Sequence, residues 1–552
     1  MFIRTKKTPR SKSVSVQLVE SFREKGKIKQ RVIHHVGTAD TKEKIEALIK
    51  LAETFKTELQ HARLIKQKNP ISTEHRLGVL SPVESKFSFR AVDLEEESRT
   101  ILGIHDIYGY VYNHLGFSNP FSNPARRTYT ARILKEIVLA RIACPKSKRA
   151  SVELLSDKFG VELNLDHVYQ MMDKADDRFF ENVQQAALAA TLKLTGGKLR
   201  VLFYDATTLY FESFHEDSLK QYGYSKDMKF NQSQVLLALF VTEQGLPVGY
   251  ELFPGSMFEG HTLIPVLEKL KKRYQLEEVV FVADRGLFSE ANLSYLEENN
   301  FKYIVGARIK NTSKALQSEI INEENYVYVD NKKEQKFAVF DQNDNRKLIV
   351  HYDPVRARKD AHDREKAIQK LSKKIAKNKH PKALLNNFGY KKYIDIASDT
   401  QITINQKKID ADQSWDGLLG IITNLSDGEP KQLLMHYHSL WQIEESFRIN
   451  KHDLRMRPIF HWSPKRVKAH IAISFMAFVC VRYLEYRVFV QSQKLSPEEI
   501  RKALLQVQGS ILHDQRSGKR FLLSAKANSN AQEIYRIMKI KIPKKIMSIK
   551  EM

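Results

Sequence analysis

Two aspartates stand where apolar runs end. Asp205 closes Val201-Leu202-Phe203-Tyr204 and Asp284 closes Val279-Val280-Phe281-Val282-Ala283, and polar or turn-forming residues follow each. Strands of that kind bury their side chains, so both carboxylates should project from one edge of a common sheet. An aspartate at a strand end is usually a turn former or helix cap, and Asp284-Arg285-Gly286 fits that bland role. Finding two such strands in one domain weakens it. A third group lies in MHYHSLWQIEESFRINKHDLRMRP, where Tyr437, Glu444 and Lys451 recur every seven residues and Arg448 follows Glu444 by four. On a continuous helix that spacing places all four on one face, beside apolar Leu440, Ile443 and Phe447. Spacing alone leaves two readings open, a reactive polar stripe or an ordinary ion-paired helix face.

The elements that must position these groups change character along the chain. SVSVQLVESF and KQRVIHHVG alternate across the turn-prone EKGK and predict a β-hairpin, followed by a helix at about 41–69 and a linker around Asn69-Pro70 and Gly78–Pro82. Residues 1–95 form this N-terminal region, whose basic hairpin is expected to meet a polyanion such as DNA given the chain's formal charge of +25. Residues 96–195 take helical spacing, and ASVELLSDKFGVELNLDHVYQMMDKA holds two short amphipathic stretches around Phe159-Gly160, either a DNA-reading helix-turn-helix or plain helical packing. From 196 to 310 strands and helices alternate: Asp205's strand, a hairpin across Glu243-Gln244-Gly245, a helix, Asp284's strand, a helix and the strand FKYIVGARI. That rhythm is an α/β layer fold. Residues 311–410 break it as a β-rich insertion whose basic helix carries eleven Lys or Arg against three acids between Arg356 and Lys382. WDGLLGIITN then resumes the α/β pattern over 411–490, and 491–552 is a basic C-terminal region.

Composition narrows the chemistry. The 552 residues carry 90 Lys and Arg against 65 Asp and Glu, a formal charge of +25, so a polyanionic partner is expected, nucleic acid before a membrane surface because the cations are spread over every segment. Cys144 and Cys480 are too few for a disulfide framework or a thiolate zinc site, which suits a reducing compartment. The longest apolar run, Ile471 to Val481, falls short of the roughly 18 residues that span a bilayer and reads as a buried core helix. MFIRTKKTPR lacks the apolar stretch of a secretory signal, so the cytoplasm with its nucleoid is the expected location. Phosphate-loop, dinucleotide-binding, nucleophile-elbow and HExxH patterns are missing, which removes most support for nucleotide hydrolysis, serine hydrolysis and zinc proteolysis.

Taken together, YDATTLYFES, ADRGLFS, YHSLWQIEESFRINK and LRMRPIFHWSPKRVKAHI, with the MFIRTKK start and the KSVSVQLVESFREKGKIKQRVIHHVG hairpin, resemble the DDE transposases of bacterial insertion sequences. Within these the resemblance is to the IS4 superfamily and its IS1634-like group, and it runs over nearly the whole chain. It implies an RNase H-like catalytic domain, a mixed sheet with helices on both faces, whose catalytic and metal-binding triad falls on Asp205, Asp284 and Glu444. The family's tail motif, Tyr, two residues, Arg, three residues, Glu, six residues, Lys, maps onto Tyr437, Glu444 and Lys451, with Tyr437 and Lys451 as DNA contacts. Leu440 stands where the family has Arg, and Arg448 is the expected substitute on phosphate.

The chemistry of three acids agrees with this assignment. At about 4 Å and an effective dielectric near 20, each carboxylate pair repels by roughly 4 kcal/mol, so three gather only around cations. Oxygen ligands suit Mg²⁺ or Mn²⁺, and a pair of such ions can serve phosphodiester cleavage and joining at one site. The implied activity is cut-and-paste transposition on double-stranded DNA, terminal inverted repeats and target alike, by a homodimer in a paired-end complex. Competing readings are an RNase H-like nuclease that cuts without joining, a decayed DNA-binding protein, and an RNA-processing enzyme, which the lack of an RNP1-like aromatic pattern disfavours.

Overall fold

Alternating side chains in the first forty residues fold as the expected hairpin. β1 (Phe2–Lys7), β2 (Val14–Glu24) and β3 (Lys27–Ala39) make an antiparallel sheet in that order. Val16, Leu18 and Val19 are buried there, and α1 (Lys42–Lys66) packs on the sheet with Leu48, Leu51, Ala52 and Phe55 inward. The computed structural model describes residues 1–7, 13–24, 27–66, 74–75, 78–82, 90–121, 127–212, 215–223, 231–273, 279–287, 289–329, 334–343, 345–377, 392–398, 401–426, 428–492, 494–542 and 546–550. The hairpin turn at 25–26, Asn69-Pro70 and the end of the basic stretch beyond Lys377 fall outside these.

The chain divides into two units, one holding Met1–Arg200, Asp205–Phe258 and Gln442–Met552, the other Val201–Tyr204 and Glu259–Trp441. In the first, α2 (Arg127–Ala143), α3 (Lys148–Phe159), α4 (Leu165–Asp173) and α5 (Asp177–Leu194) bear out the helical spacing. Gly160, at φ +61, caps α3, and Asn164 caps α4. The α4 sequence LDHVYQMMD turns Val168, Met171 and Met172 inward and has no Lys or Arg. Its outer face, with Asp166 and Asp173, suits packing better than entry into a phosphate-lined groove.

β4 (Val201–Tyr210) does not end at Asp205 as expected but runs on through Ala206-Thr207-Thr208-Leu209-Tyr210, and it passes from the second unit to the first at Asp205. Within the first unit its later half neighbours β5 (Gln234–Thr242), which forms a hairpin with β6 (Pro247–Pro254). Gly245 turns this hairpin at φ +69, a left-handed conformation suited to glycine.

The second unit follows the strand–helix alternation. α6 (Leu263–Arg273), β7 (Val280–Ala283), α7 (Glu290–Glu298) and β8 (Lys302–Ala307) occur in that order. Val201–Tyr204, β7 and β8 are parallel neighbours, with registers Tyr204↔Ala283 and Ala283↔Val305. The region read as one insertion splits in two. β9 (Lys336–Asn343) and β10 (Arg346–Tyr352) extend the main sheet through antiparallel pairing, whereas α8 (Pro354–Lys377), β11 (Ile394–Ser398), β12 (Gln401–Ile404) and α9 (Gln406–Gln413) build a small core of Leu371, Tyr393, Ile394 and Ile409, lined by Ile368 and Ile375. Arg364 of α8 forks the Asp416 carboxylate at 2.5 and 2.6 Å. β13 (Leu418–Thr423) lies between β10 and β8, antiparallel to both, and α10 (Pro430–His438) follows. The sheet is mixed, as the expected α/β class requires.

The chain re-enters the first unit in α11 (Trp441–Arg448) and continues into α12 (Pro464–Gln491), started by Ser463 as cap and Pro464 in the first turn. Among the described residues α12 is the one helix long and apolar enough to cross a membrane, but 94% of its most apolar window is buried inside the protein, as expected of a core helix. A six-stranded sheet closes this unit, in the order Glu74–His75, Gly78–Pro82, Met547–Lys550, Lys519–Ser524, Gln508–Asp514, Leu94–Ile101. The segment Gly78–Pro82, expected as linker, is thus a strand, because Met547–Lys550 supplies its backbone partners.

Candidate functional site

Asp205 and Asp284 are each the next residue after a paired position, since Tyr204 and Ala283 face one another in the parallel register of β4 and β7. Neighbouring strands run about 4.8 Å apart, and both carboxylates follow the same, C-terminal end of their parallel pairing. Asp205 is half-buried, and its Oδ1 accepts the Ala206 amide at 2.8 Å. Tyr204 is held from below, its hydroxyl 2.5 Å from Thr262 Oγ1. Asp284 is exposed and is followed by a short turn, Arg285–Leu287, before Ser289 caps α7.

Tyr437 reaches Asp284. Its hydroxyl donates to Asp284 Oδ1 at 3.4 Å, a long contact, and burial together with the Asp284 charge pushes the phenol well above its ordinary pKa, so it remains a donor at neutral pH. Room for the ring tip comes from Gly306 on β8, where a Cβ would stand 2.3 Å from Tyr437 Oη. Gly306 was missed in the sequence reading, although an isolated glycine inside YIVGARI is the usual sign of a close approach to a strand.

The Tyr437–Glu444–Lys451 stripe does not lie on one helix. The Ser439 hydroxyl bonds back to the Met435 carbonyl at 2.9 Å and the Leu440 amide turns to Tyr437 O at 3.0 Å, a tighter closure that ends α10 before α11 begins. A further change follows Arg448, where Ile449–Asp453 widens into a π turn closed by Leu454 N on Ile449 O at 2.9 Å. Tyr437 belongs to the second unit, Glu444 and Lys451 to the first.

Glu444 is exposed on α11 while its neighbours Ile443 and Phe447 are buried. Lys451 is half-buried, its ammonium hydrogen-bonded to Thr207 Oγ1 and 6.0 Å from the Phe447 ring centroid. Thr207 lies two residues from Asp205 on β4, so the ammonium stands on the strand face that carries that carboxylate. Arg448 is bidentate on Glu445, at 2.7 and 2.5 Å, with Asp453 Oδ1 at 3.5 Å. These bonds push its pKa further up and hold the Glu445 carboxyl below its ordinary range. Among the described residues, no group of three His, Cys, Asp or Glu side chains is placed to hold a metal ion. His438 sits edge-on against His351 at 5.4 Å.

Two family models match the chain. A transposase DDE domain matches residues 196–480, slightly more than half of the chain and spanning all six candidate residues, and an IS1634 family transposase N-terminal domain matches residues 3–63. No curated protein matches. Among solved structures, the piggyBac transposase synaptic complex with hairpin DNA is similar at 9% identity and TM-score 0.37, over 73% of this chain and 76% of that one. The Mos1 transposase paired-end complex with left transposon end is similar at 16% identity and TM-score 0.15, over 33% of this chain and 60% of that one.

Proposed function

The chain belongs to the DDE transposases, in the IS1634 group, and on that premise we propose that Asp205, Asp284 and Glu444 are the carboxylates at which it cleaves and joins DNA. The observation that carries the reading is the parallel Tyr204↔Ala283 register, after whose last pair each strand carries an aspartate from a distant part of the sequence. Enzymes of this family cut DNA and transfer strands with divalent metal ions. The donor set here fits hard cations, because it is all oxygen and neither Asp284 nor Glu444 is buried. Asp205, Asp284 and Glu444 are the residues that would hold Mg²⁺ or Mn²⁺. When bound, divalent ions there would supply activation of a water or 3′-hydroxyl and charge to stabilise the leaving oxygen of a phosphodiester.

The chain's own residues then do the positioning. Tyr437, kept protonated, orients Asp284 and donates to a phosphate oxygen. Lys451, held by Thr207, places a cation beside the strand that carries Asp205. Arg448 contacts phosphate by exchanging its grip on Glu445, a role that compensates for Leu440. Action on two paired inverted repeats as a homodimer, in the cytoplasm, belongs to the same proposal.

The test uses the full chain, DNA carrying the ends of its own element, and Asp205→Asn, Asp284→Asn and Glu444→Gln. Each variant should bind the ends while losing cleavage, and wild-type protein should join pre-cut 3′-hydroxyl ends to target DNA. Cleavage surviving in any of the three would remove that residue from the triad. Cleavage without joining would leave a nuclease.

A further inference from the structure

Beyond the acids, the first unit presents two large aromatic rings to solvent on one short segment. Phe460 is 60% and Trp462 71% exposed, while Ile459 between them and the strand is 2% exposed. The alternation is regular: Ile459 in, Phe460 out, His461 half-buried, Trp462 out. The segment is fastened at both ends of this pattern. Ile459 forms a parallel bridge with Phe211, just past β4. Lys220, 3% exposed and paired with Asp217 at 3.2 Å, donates to the Trp462 carbonyl at 2.7 Å. His461 packs edge-on against Tyr169 at 6.4 Å. The rings are therefore held outward by a rigid backbone, which is a costly way to expose apolar area unless something covers it.

Charge indicates what covers it. Between Asp453 and Glu485 the sequence has no acidic residue, and Arg455, Arg457, Lys465 and Lys468 flank the two rings in sequence, while Arg466 is taken up by the Asp173 carboxylate at 2.7 and 2.6 Å. Arg457 lies over the Tyr210 ring at 5.2 Å, so the cations reach back along β4. Trp462 tilts against the His215 ring at 6.2 Å, and exposed aromatic area bordered by cations matches single-stranded nucleic acid, where bases stack on rings and phosphates meet the charges.

We propose that Phe460 and Trp462 form a stacking platform for unpaired bases of a DNA strand. This rests on the chain acting on DNA. Phe211 is six residues beyond Asp205 on the same extended segment, so the platform is anchored about 20 Å along the strand from that carboxylate. It therefore holds strand well outside the cleavage point and fixes the path of the DNA rather than its chemistry.

Trp415, Trp441 and Trp462 are the three tryptophans of the chain, so replacing the first two by Phe leaves one reporter in the full-length protein. Its emission should be quenched by oligo-deoxythymidine and by a duplex with a single-stranded gap, and not by the same duplex without the gap. Trp462→Ala and Phe460→Ala should each weaken oligo-deoxythymidine binding roughly five- to hundredfold and leave intact-duplex binding within about twofold, whereas Trp462→Phe should retain most affinity. Equal losses on single strand and duplex, or no quenching, would overturn the platform while leaving the transposase reading intact. Loss of self-association with unchanged single-strand binding would overturn it in favour of an interface between copies. Wild-type protein that binds neither DNA would overturn both readings.

Discussion

Replacing Gly306 by Ala tests whether Tyr437 is placed by the strand beneath it. A Cβ at position 306 would stand 2.3 Å from Tyr437 Oη, 3.0 Å from the Arg285 amide nitrogen and 3.2 Å from Arg285 Cβ. The first contact is far inside van der Waals range and the other two are tight, so the methyl group must displace the phenol. Overpacking of that kind costs about 1–3 kcal/mol, while the same substitution in open space gains about 0.4–1 kcal/mol by restricting the unfolded chain. In a Tyr437→Phe background the 2.3 Å clash is absent, and gain and residual crowding against Arg285 should nearly cancel. The double-mutant cycle should therefore show coupling of about 1–2 kcal/mol, read as a melting temperature that falls by roughly 2–8 °C in Gly306→Ala and recovers when Tyr437→Phe is added. Cleavage should not recover with it, because the hydroxyl beside Asp284 is missing in one case and displaced in the other. Misplacement of about 1 Å near a reacting group costs up to roughly a hundredfold in rate. Strictly additive melting shifts would refute the reasoning.

Gly245→Ala forces a side chain at φ +69 whose Cβ would lie 2.1 Å from Arg482 Nη2, the guanidinium that binds the Gln244 and Gly245 carbonyls; a loss of about 2 kcal/mol or more is expected in thermal or urea unfolding. Burial, assisted by His438, lowers His351 from 6.5 to about 4. Because the unfolded chain binds that proton more readily, the contribution is complete above about pH 6.5 and is lost as pH falls toward 4, so the melting temperature should drop across that window and less so in His351→Gln. Lys451→Ala should weaken binding to element ends and reduce the salt slope of log K by about one, measured by titrating DNA at several salt concentrations. Arg448→Ala should do the same if it meets phosphate; unchanged binding and cleavage would reduce it to the partner of Glu445.

The placement of Asp284 was legible because a buried parallel strand leaves a plain mark, an unbroken apolar run, and an acid at its end stands out, whereas Asp205 lies in mid-strand because β4 runs on to Tyr210. The family model adds the wider motif, and the mixed α/β sheet follows the alternation of strands and helices. Other features depended on contacts no local pattern records. The seven-residue spacing of Tyr437, Glu444 and Lys451 suggested one continuous helix, yet one serine hydroxyl bonded four residues back and a π turn at Ile449–Asp453 separate the three. Gly306 has a meaning only through Tyr437, more than a hundred residues later. Strands 336–352 looked like part of a separate insertion because their polar faces hide the apolar pairing with β13.

The six-stranded sheet has a temporal consequence. Gly78–Pro82 finds its partner in Met547–Lys550, more than 400 residues downstream, so a ribosome adding about 5–20 residues per second leaves that edge bare for on the order of 20–90 s. An open edge invites pairing with other chains, and only synthesis through Lys550 supplies the strand that seals it. The sheet of the first unit is therefore completed late, after the several hundred residues between its two partner strands have been made.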